Sequence, residues 1–418
     1  MAMIACGLDF GTSNSAIGIA RDGRAVLAPV EGGRTLMPSA VFFDSETEGR
    51  VLYGNDAIAA YAAQTEGRLM RALKSILGSS LMDDDTSLGP RRIRLAKVVE
   101  MFVAHLKKQA ETFAGREITR VVHGRPVRFH DDDKIDARAE AVLAGIARAA
   151  GFCDVTFVYE PIAAVHHYEQ TVDREEIVLT ADIGGGTSDF SIVRIGPRRR
   201  ARAERGDDVL ATAGVRIGGT DFDAALNRAA AMPLLGLGTR LVEKNLPMPL
   251  APYNELSTWA TINFAYTRKN ERELAKLVPL ACEPEKVRRL LELVRRRLGH
   301  RLALAIEDGK IGLSAEDRVA IPLDFLEAGL AAPATRADFD GATATMTERL
   351  RETAHDCVAA SGLKPDDIDT VFLTGGSSRV PAVRDAVARA VPTARLGSGT
   401  DDLLSVPLGL TQLAAAMA

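Results

Sequence analysis

Two aspartates set in near-identical surroundings carry the strongest chemical signal in the chain. Asp9 lies in "GLDFGTSNSAIGIA" (Gly7 to Ala20) and Asp182 in "LTADIGGGTSDFSIVRI" (Leu179 to Ile195). Each ends an apolar strand and precedes a glycine turn, a Thr-Ser pair and a second apolar strand. Gly11 answers Gly184, Thr12 and Ser13 answer Thr187 and Ser188, and Gly185 and Gly186 are extra glycines in the second copy. A carboxylate placed near a core is costly unless it is paired or faces a cation. Glycine lets a ligand approach the backbone, and turns rich in N–H groups and hydroxyls suit phosphate oxygens. Facing each other, two such turns would clasp a phosphate chain while the aspartates hold its metal. One copy alone reads equally well as a hairpin whose Asp caps a turn; the ordered repeat favours two similar lobes.

Two further stretches supply groups of the same kind. "VTFVYEPIAAV" (Val155 to Val165) is a strand ending on Glu160, with Pro161 at the favoured first position of a helix. That places the Glu160 carboxylate at a strand end, where α/β folds put catalytic groups. "DTVFLTGGSSRVPAVRDAV" (Asp369 to Val387) is a strand, a Gly375-Gly376 turn and a helix opening on Ser377-Ser378. Free N–H groups at such a helix start attract anions and nucleotides.

The elements that must position these groups belong to a large chain. With 418 residues, 46% hydrophobic and 26% charged, it exceeds one ordinary domain, so two or more are expected. A net charge of −4 argues against a general nucleic-acid binder. The basic runs Arg198 to Arg202 and Arg295 to Arg297 read as a solvated turn and a helix face. Four scattered cysteines, Cys6, Cys153, Cys282 and Cys357, show no metal-binding spacing and read as small buried hydrophobes in a reducing compartment. No signal segment is visible, and the apolar run Leu403 to Ala418 is interrupted by Pro407, Thr411 and Gln412. The expectation is a soluble, cytoplasmic protein with no membrane or nucleic-acid partner. P-loop, nucleophile-elbow and zincin motifs are absent, and His166-His167, the one histidine pair, reads as structural.

In this order the four stretches resemble the actin-like ATPase superfamily. They are similar to the nucleotide-binding part of the 70-kilodalton heat-shock chaperones, in particular to the short bacterial homologues called YegD-like. "GLDFGTSNSA" and "DIGGGTSDFSI" are similar to that family's two phosphate loops, "YEPIAA" to its catalytic-glutamate motif, and "LTGGSSRVPAV" to its adenosine motif. "RALKSILG", "RIGGTDFD", "ATRADFD" and "AIEDGKIGLS" agree with the chaperone branch. The resemblance implies an α/β chain of actin-like ATPase fold, two duplicated ribonuclease-H-like lobes around a nucleotide cleft. Lobe I would be 1–172, with core 1–35 and 96–172 and insert 36–95. Lobe II would be 173–418, with core 173–212 and 315–418 and insert 213–314.

The same resemblance implies the site roles. Asp9 and Asp182 would orient Mg²⁺ through its waters, and Gly11, Thr12, Ser13 and Gly184, Gly185, Gly186 and Thr187 would hold the β- and γ-phosphates of ATP or ADP. Lys74 and Glu160 join Asp182 and Thr187 as the catalytic set: Glu160 positions the attacking water and Lys74 stabilises charge on the γ-phosphate. Gly218 and Gly219 would also line the nucleotide. Glu307, Lys310 and Ser314 would meet ribose and adenine from one side, and Gly375, Gly376, Ser377 and Arg379 from the other. K⁺ is a further candidate ion.

Three departures stand out. Ile311 replaces an arginine that stacks on adenine, Asn14 replaces a tyrosine, and the residues around Pro126 in "GRPVRF" differ, leaving Arg138 as the candidate partner of a proline switch. The chain ends in "LAAAMA" about where the nucleotide-binding part would finish, so the expectation is a chaperone-like slow ATPase switch without a peptide-binding domain. A filament-forming actin and a small-molecule kinase stay open beside it. The segment Met232 to Val278 departs from the family pattern and holds the only tryptophan, Trp259. It reads as a core helix or, alternatively, as a surface on the second insert for a protein partner or co-chaperone.

Overall fold

The computed structural model describes residues 4–21, 24–47, 49–88, 91–200, 202, 206–243, 245–397 and 403–417. They form two compact units: 1–218 with 348–378 and 383–418, and 219–347 with 379–382.

The first unit holds two sheets of matching topology. In one, the hairpin Ala5–Phe10 and Asn14–Arg21 is flanked by antiparallel Arg24–Leu27 on one side and by parallel Arg120–Arg125 and Asp154–Tyr159 on the other. In the other, the hairpin Glu176–Ile183 and Ser188–Ile195 is flanked by antiparallel Val209–Val215 and by parallel Thr370–Thr374 and Arg395–Gly397. The duplication read from two short motifs thus extends to whole sheets, and the fold is that of the actin-like ATPases. Both central hairpins are buried almost throughout, which is why they read as continuous apolar runs.

Two helices join the sheets into one body. Helix Glu160–Tyr168 packs on the second hairpin, helix Ser405–Ala416 packs on the first, and the two helices pack on each other. Ala163, Ala164, Val165, Val178, Val193, Phe372, Leu410 and Ala414 share one buried cluster there. The approach is close enough that a Cβ on Gly409 would overlap the Ala163 carbonyl and one on Gly7 would overlap the Thr411 backbone. His166 and His167 sit at this contact, both within reach of the Gln412 amide, so the pair is structural as expected.

A three-stranded sheet, Val51–Tyr53, Ala40–Asp44 and Gly67–Arg71, with helix Gly54–Ala62 on it, leads into the turn that carries Lys74. The second unit is mainly helical: Gly219–Leu226, Ala251–Ser257, Arg268–Leu277, Pro284–Arg295 and Gly299–Ala315 accompany the hairpin Arg318–Pro322 and Ala331–Thr335. Helix Arg336–Ala360 gives its residues up to 347 to this unit and the rest to the first.

Both basic runs are ion-paired. Arg199 pairs with Asp208, Arg202 with Asp207, and Arg295 with Glu271 and Glu292; Ala201 lies outside the described residues. The cysteine expectation needs correcting. All four are free, but only Cys6 and Cys357 are buried, because Cys153 and Cys282 fall in connections at the ends of elements. Among the described residues no helix is long and apolar enough to cross a membrane.

Candidate phosphate and carboxylate site

The two hairpin turns touch within the first unit, and glycine permits it. A Cβ on Gly185 would overlap the Ser13 hydroxyl, and one on Gly186 would lie 2.8 Å from Thr12 Oγ1. Gly218 closes on the same loop, its Cβ position 2.5 Å from the Gly186 nitrogen. The second turn is held by the Gly184 N–H donating to the Thr187 carbonyl at 3.0 Å and by Ser377 Oγ donating to the Gly184 carbonyl at 3.0 Å. Ser188 Oγ donates to the Ile217 carbonyl at 2.6 Å. Gly11, whose Cβ would overlap the Asn14 carbonyl, is fixed by Ser39 Oγ donating to its carbonyl at 2.7 Å. Gly375 has φ +81°, and its Cβ position is 2.7 Å from Asp182 Oδ1. Glycine is needed here on both counts.

Lys74 comes from the small three-stranded sheet and Glu160 from the start of its helix, and they meet as a buried pair, Nζ to Oε1 2.5 Å. Ala72, in the left-handed region at φ 56°, turns the chain so that Lys74 enters the core on the 3₁₀ turn Leu73–Ile76. Asp9 and Asp182 lie on equivalent strands of the two hairpins. Burial, then Glu160, pushes the Asp9 carboxyl up to about 7 against the pull of Lys74. Burial, then Glu160, Asp189 and Asp9, holds Asp182 well above the usual carboxylate range. Burial works to lower the Lys74 ammonium, but Glu160, Asp9 and Asp189 outweigh it and keep the lysine charged.

The acids around this one ammonium are therefore in surplus, and a hard cation bound through oxygen would relieve them. Among the described residues no three His, Cys, Asp or Glu side chains are grouped to ligate a metal directly. A pair of carboxylates beside an oxygen-rich turn suits an ion that keeps its waters, as Mg²⁺ does.

Asp189 is a site residue that the motif reading misses. It pairs in register with Asp182, where the first hairpin pairs Asp9 with Ala16, so the duplication breaks at this position. It is buried, and its Oδ1 accepts the Val127 N–H at 2.6 Å. Burial, then Glu160, raises it to about 7 against hydrogen bonds from Thr187 and Val127. An acid in the apolar strand "SDFSIV" is the signal that could have found it. Arg125 is a buried charge beside Pro126 that the motif reading also misses. Its buried guanidinium donates to the Pro126 carbonyl at 2.9 Å, pairs with Asp136 and Glu140, and lies over Phe129 and Tyr159. Arg138 pairs with Asp83 instead of bracing Pro126, because Arg125 already occupies that loop.

The residues expected around the base and ribose divide between the units. Gly375, Gly376 and Ser377 belong to the first; Glu307, Lys310, Ser314 and Arg379 belong to the second. Glu307, Ile311 and Ser314 are spaced to share one face of helix Gly299–Ala315, where Ile311 is 60% exposed. Lys310 is buried one step round the helix and pairs with Asp223, Nζ to Oδ1 2.6 Å. Trp259 is only 4% exposed, and its indole N–H donates to Asp223 Oδ2 at 3.3 Å. Of the two readings of that segment, the tryptophan fits the core one.

A family model described as Hsp70 protein matches residues 86–232 and 286–396, more than half of the chain. Glu160, Asp182 and Lys310 fall inside the match; Asp9, Lys74 and Trp259 fall outside it.

Proposed function

The chain belongs to the Hsp70 family, and from that premise we propose that it is a Mg²⁺-dependent ATPase that turns over slowly and works as a chaperone-type conformational switch. Members of the family bind and hydrolyse ATP and work with co-chaperones. The observation that carries the proposal is the buried Lys74–Glu160 pair, set among Asp9, Asp182 and Asp189 beside two touching glycine-hydroxyl turns. Phosphoryl transfer asks mainly for positioning and charge stabilisation, and these groups can supply both.

Thr12, Ser13 and the Gly184 to Thr187 turn hold the phosphates, with Gly218 keeping that turn compact. Glu160 accepts a hydrogen bond from the attacking water and orients it, and Lys74 faces the charge that grows on the phosphoryl oxygens. Asp9 and Asp182 would hold Mg²⁺ through its waters, and the ion would supply positive charge to the phosphates. On the same reading Glu307, Lys310 and Ser314 are adenosine-side contacts presented by helix Gly299–Ala315. Lobes divided near 172 and 173 move as ATP is cleaved. On this reading the chain supplies the nucleotide-driven switch rather than client capture. The family match favours this reading over a filament or a small-molecule kinase.

Calorimetric titration tests the binding step. ATP and ADP should bind with Mg²⁺, and removing Mg²⁺ with a chelator should weaken ATP at least several-fold. Asp9→Asn and Asp182→Asn should flatten that Mg²⁺ dependence. No binding of either nucleotide at millimolar concentration overturns the proposal.

A further inference from the structure

The second unit contains a buried polar cluster in which Trp259, outside the quoted motifs, joins Asp223 of "RIGGTDFD" to Lys310 of "AIEDGKIGLS". Asp223 projects from helix Gly219–Leu226, Lys310 from helix Gly299–Ala315, and Trp259 from the turn between Ala251–Ser257 and Ile262–Ala265. The Lys310 ammonium is held by Asp223 Oδ1 at 2.6 Å and donates to the Gly219 carbonyl at 3.2 Å. The other oxygen of the same carboxylate, Oδ2, accepts the Trp259 indole N–H at 3.3 Å. Lysine, carboxylate and indole are each less than 9% exposed.

A carboxylate gripped at both oxygens cannot rotate freely, and its orientation sets that of its partner. Lysine has a flexible four-carbon stem and three donors. The ammonium is thus held between the Asp223 carboxylate and the Gly219 carbonyl. Trp259 also packs near the His300 ring, 6.2 Å between centroids, and this fixes the indole. Trp259 lies in 233–285, the stretch the family match leaves out, so this clamp goes beyond the shared pattern.

We propose that Asp223 and Trp259 are positioning residues that pre-orient Lys310 for the nucleotide, with Trp259 as their optical reporter. The proposal rests on the reading of Lys310 as an adenosine-side contact. Pre-orientation lowers the cost of binding and leaves the phosphoryl chemistry in the first unit untouched. The expected signature is a loss of nucleotide affinity with little change in turnover at saturation.

The test measures ADP affinity by calorimetry, ATP turnover at saturation and intrinsic fluorescence. Trp259→Phe should weaken ADP about threefold and Asp223→Asn about tenfold, with saturated turnover within about twofold of wild type. The Asp223→Asn loss should vanish in a Lys310→Ala background, as a coupled pair requires. Without nucleotide, Asp223→Asn should already shift the Trp259 emission. Unchanged ADP affinity in both single variants overturns the positioning role, as does a loss that simply adds to that of Lys310→Ala. Wild-type protein that binds no ADP overturns the nucleotide reading and this role together, whereas normal wild-type binding with unaffected variants overturns the role alone.

Discussion

His123 shows how far a single buried side chain can be followed. It is fully buried on strand Arg120–Arg125, its Nδ1 donates to the Gly124 carbonyl at 2.7 Å, and its Nε2 has no hydrogen-bond partner. Burial, with a smaller push from Lys74, lowers it to about 4 against that carbonyl bond. The unfolded chain takes up this proton near pH 6.5 and the folded one only near 4, so between those values the unfolded state binds more protons and stability rises with pH. Chemical unfolding of wild type and His123→Leu should therefore diverge as pH falls from 6.5 towards 4. Wild type should lose up to about 1.4 kcal/mol per pH unit relative to the variant, and the difference should be constant above 6.5. Parallel curves across that range would show that the ring is not held neutral. Nothing in the sequence marks His123, since its neighbours come from strands far apart in the chain. Asp9, Asp182 and Glu160 are legible because each sits beside a glycine turn or a helix-starting proline. Asp189 carries only the signal of an acid in an apolar strand and Arg125 carries none, because their partners, the Val127 amide and the acids of helix Asp133–Ala149, are set by tertiary packing.

The contact between helices Glu160–Tyr168 and Ser405–Ala416 links the fold to the chemistry. Gly409 lies against the Ala163 carbonyl with no room for a methyl group, and Glu160 opens the helix it presses on. Overpacking of this kind costs about 1–3 kcal/mol. Gly409→Ala should lower the thermal midpoint by a few degrees and, by displacing Glu160, reduce ATP turnover more than ATP affinity; unaltered stability and turnover would mean that the contact can relax. The paired hairpins are readable from their repeated motif, and "YEPIAA" marks its helix through Pro161. The glycine at 409 is read in sequence only as part of an apolar run. Its necessity depends on the other helix, which no local pattern specifies.

Across the whole molecule, sequence carries the architecture further than it carries the periphery. Two short motifs imply two equivalent sheets, and the same five-strand order recurs, with Met37–Pro38 as an extra strand on the first sheet. The second unit is less legible: its segment around Trp259 follows no recognised pattern, and an aromatic-rich stretch reads equally as core or as surface until its burial is known. What unites the first unit is one ammonium among several acids beside two phosphate-suited turns. If that arrangement is an ATP-cleaving site, removing the ammonium must cripple cleavage and spare binding. Single-turnover hydrolysis of ATP with Mg²⁺, compared between wild type and Lys74→Ala, measures this directly. The expected result is a loss of about a hundredfold or more in the cleavage rate, with ATP affinity within about tenfold of wild type. Cleavage by Lys74→Ala at the wild-type rate would contradict it.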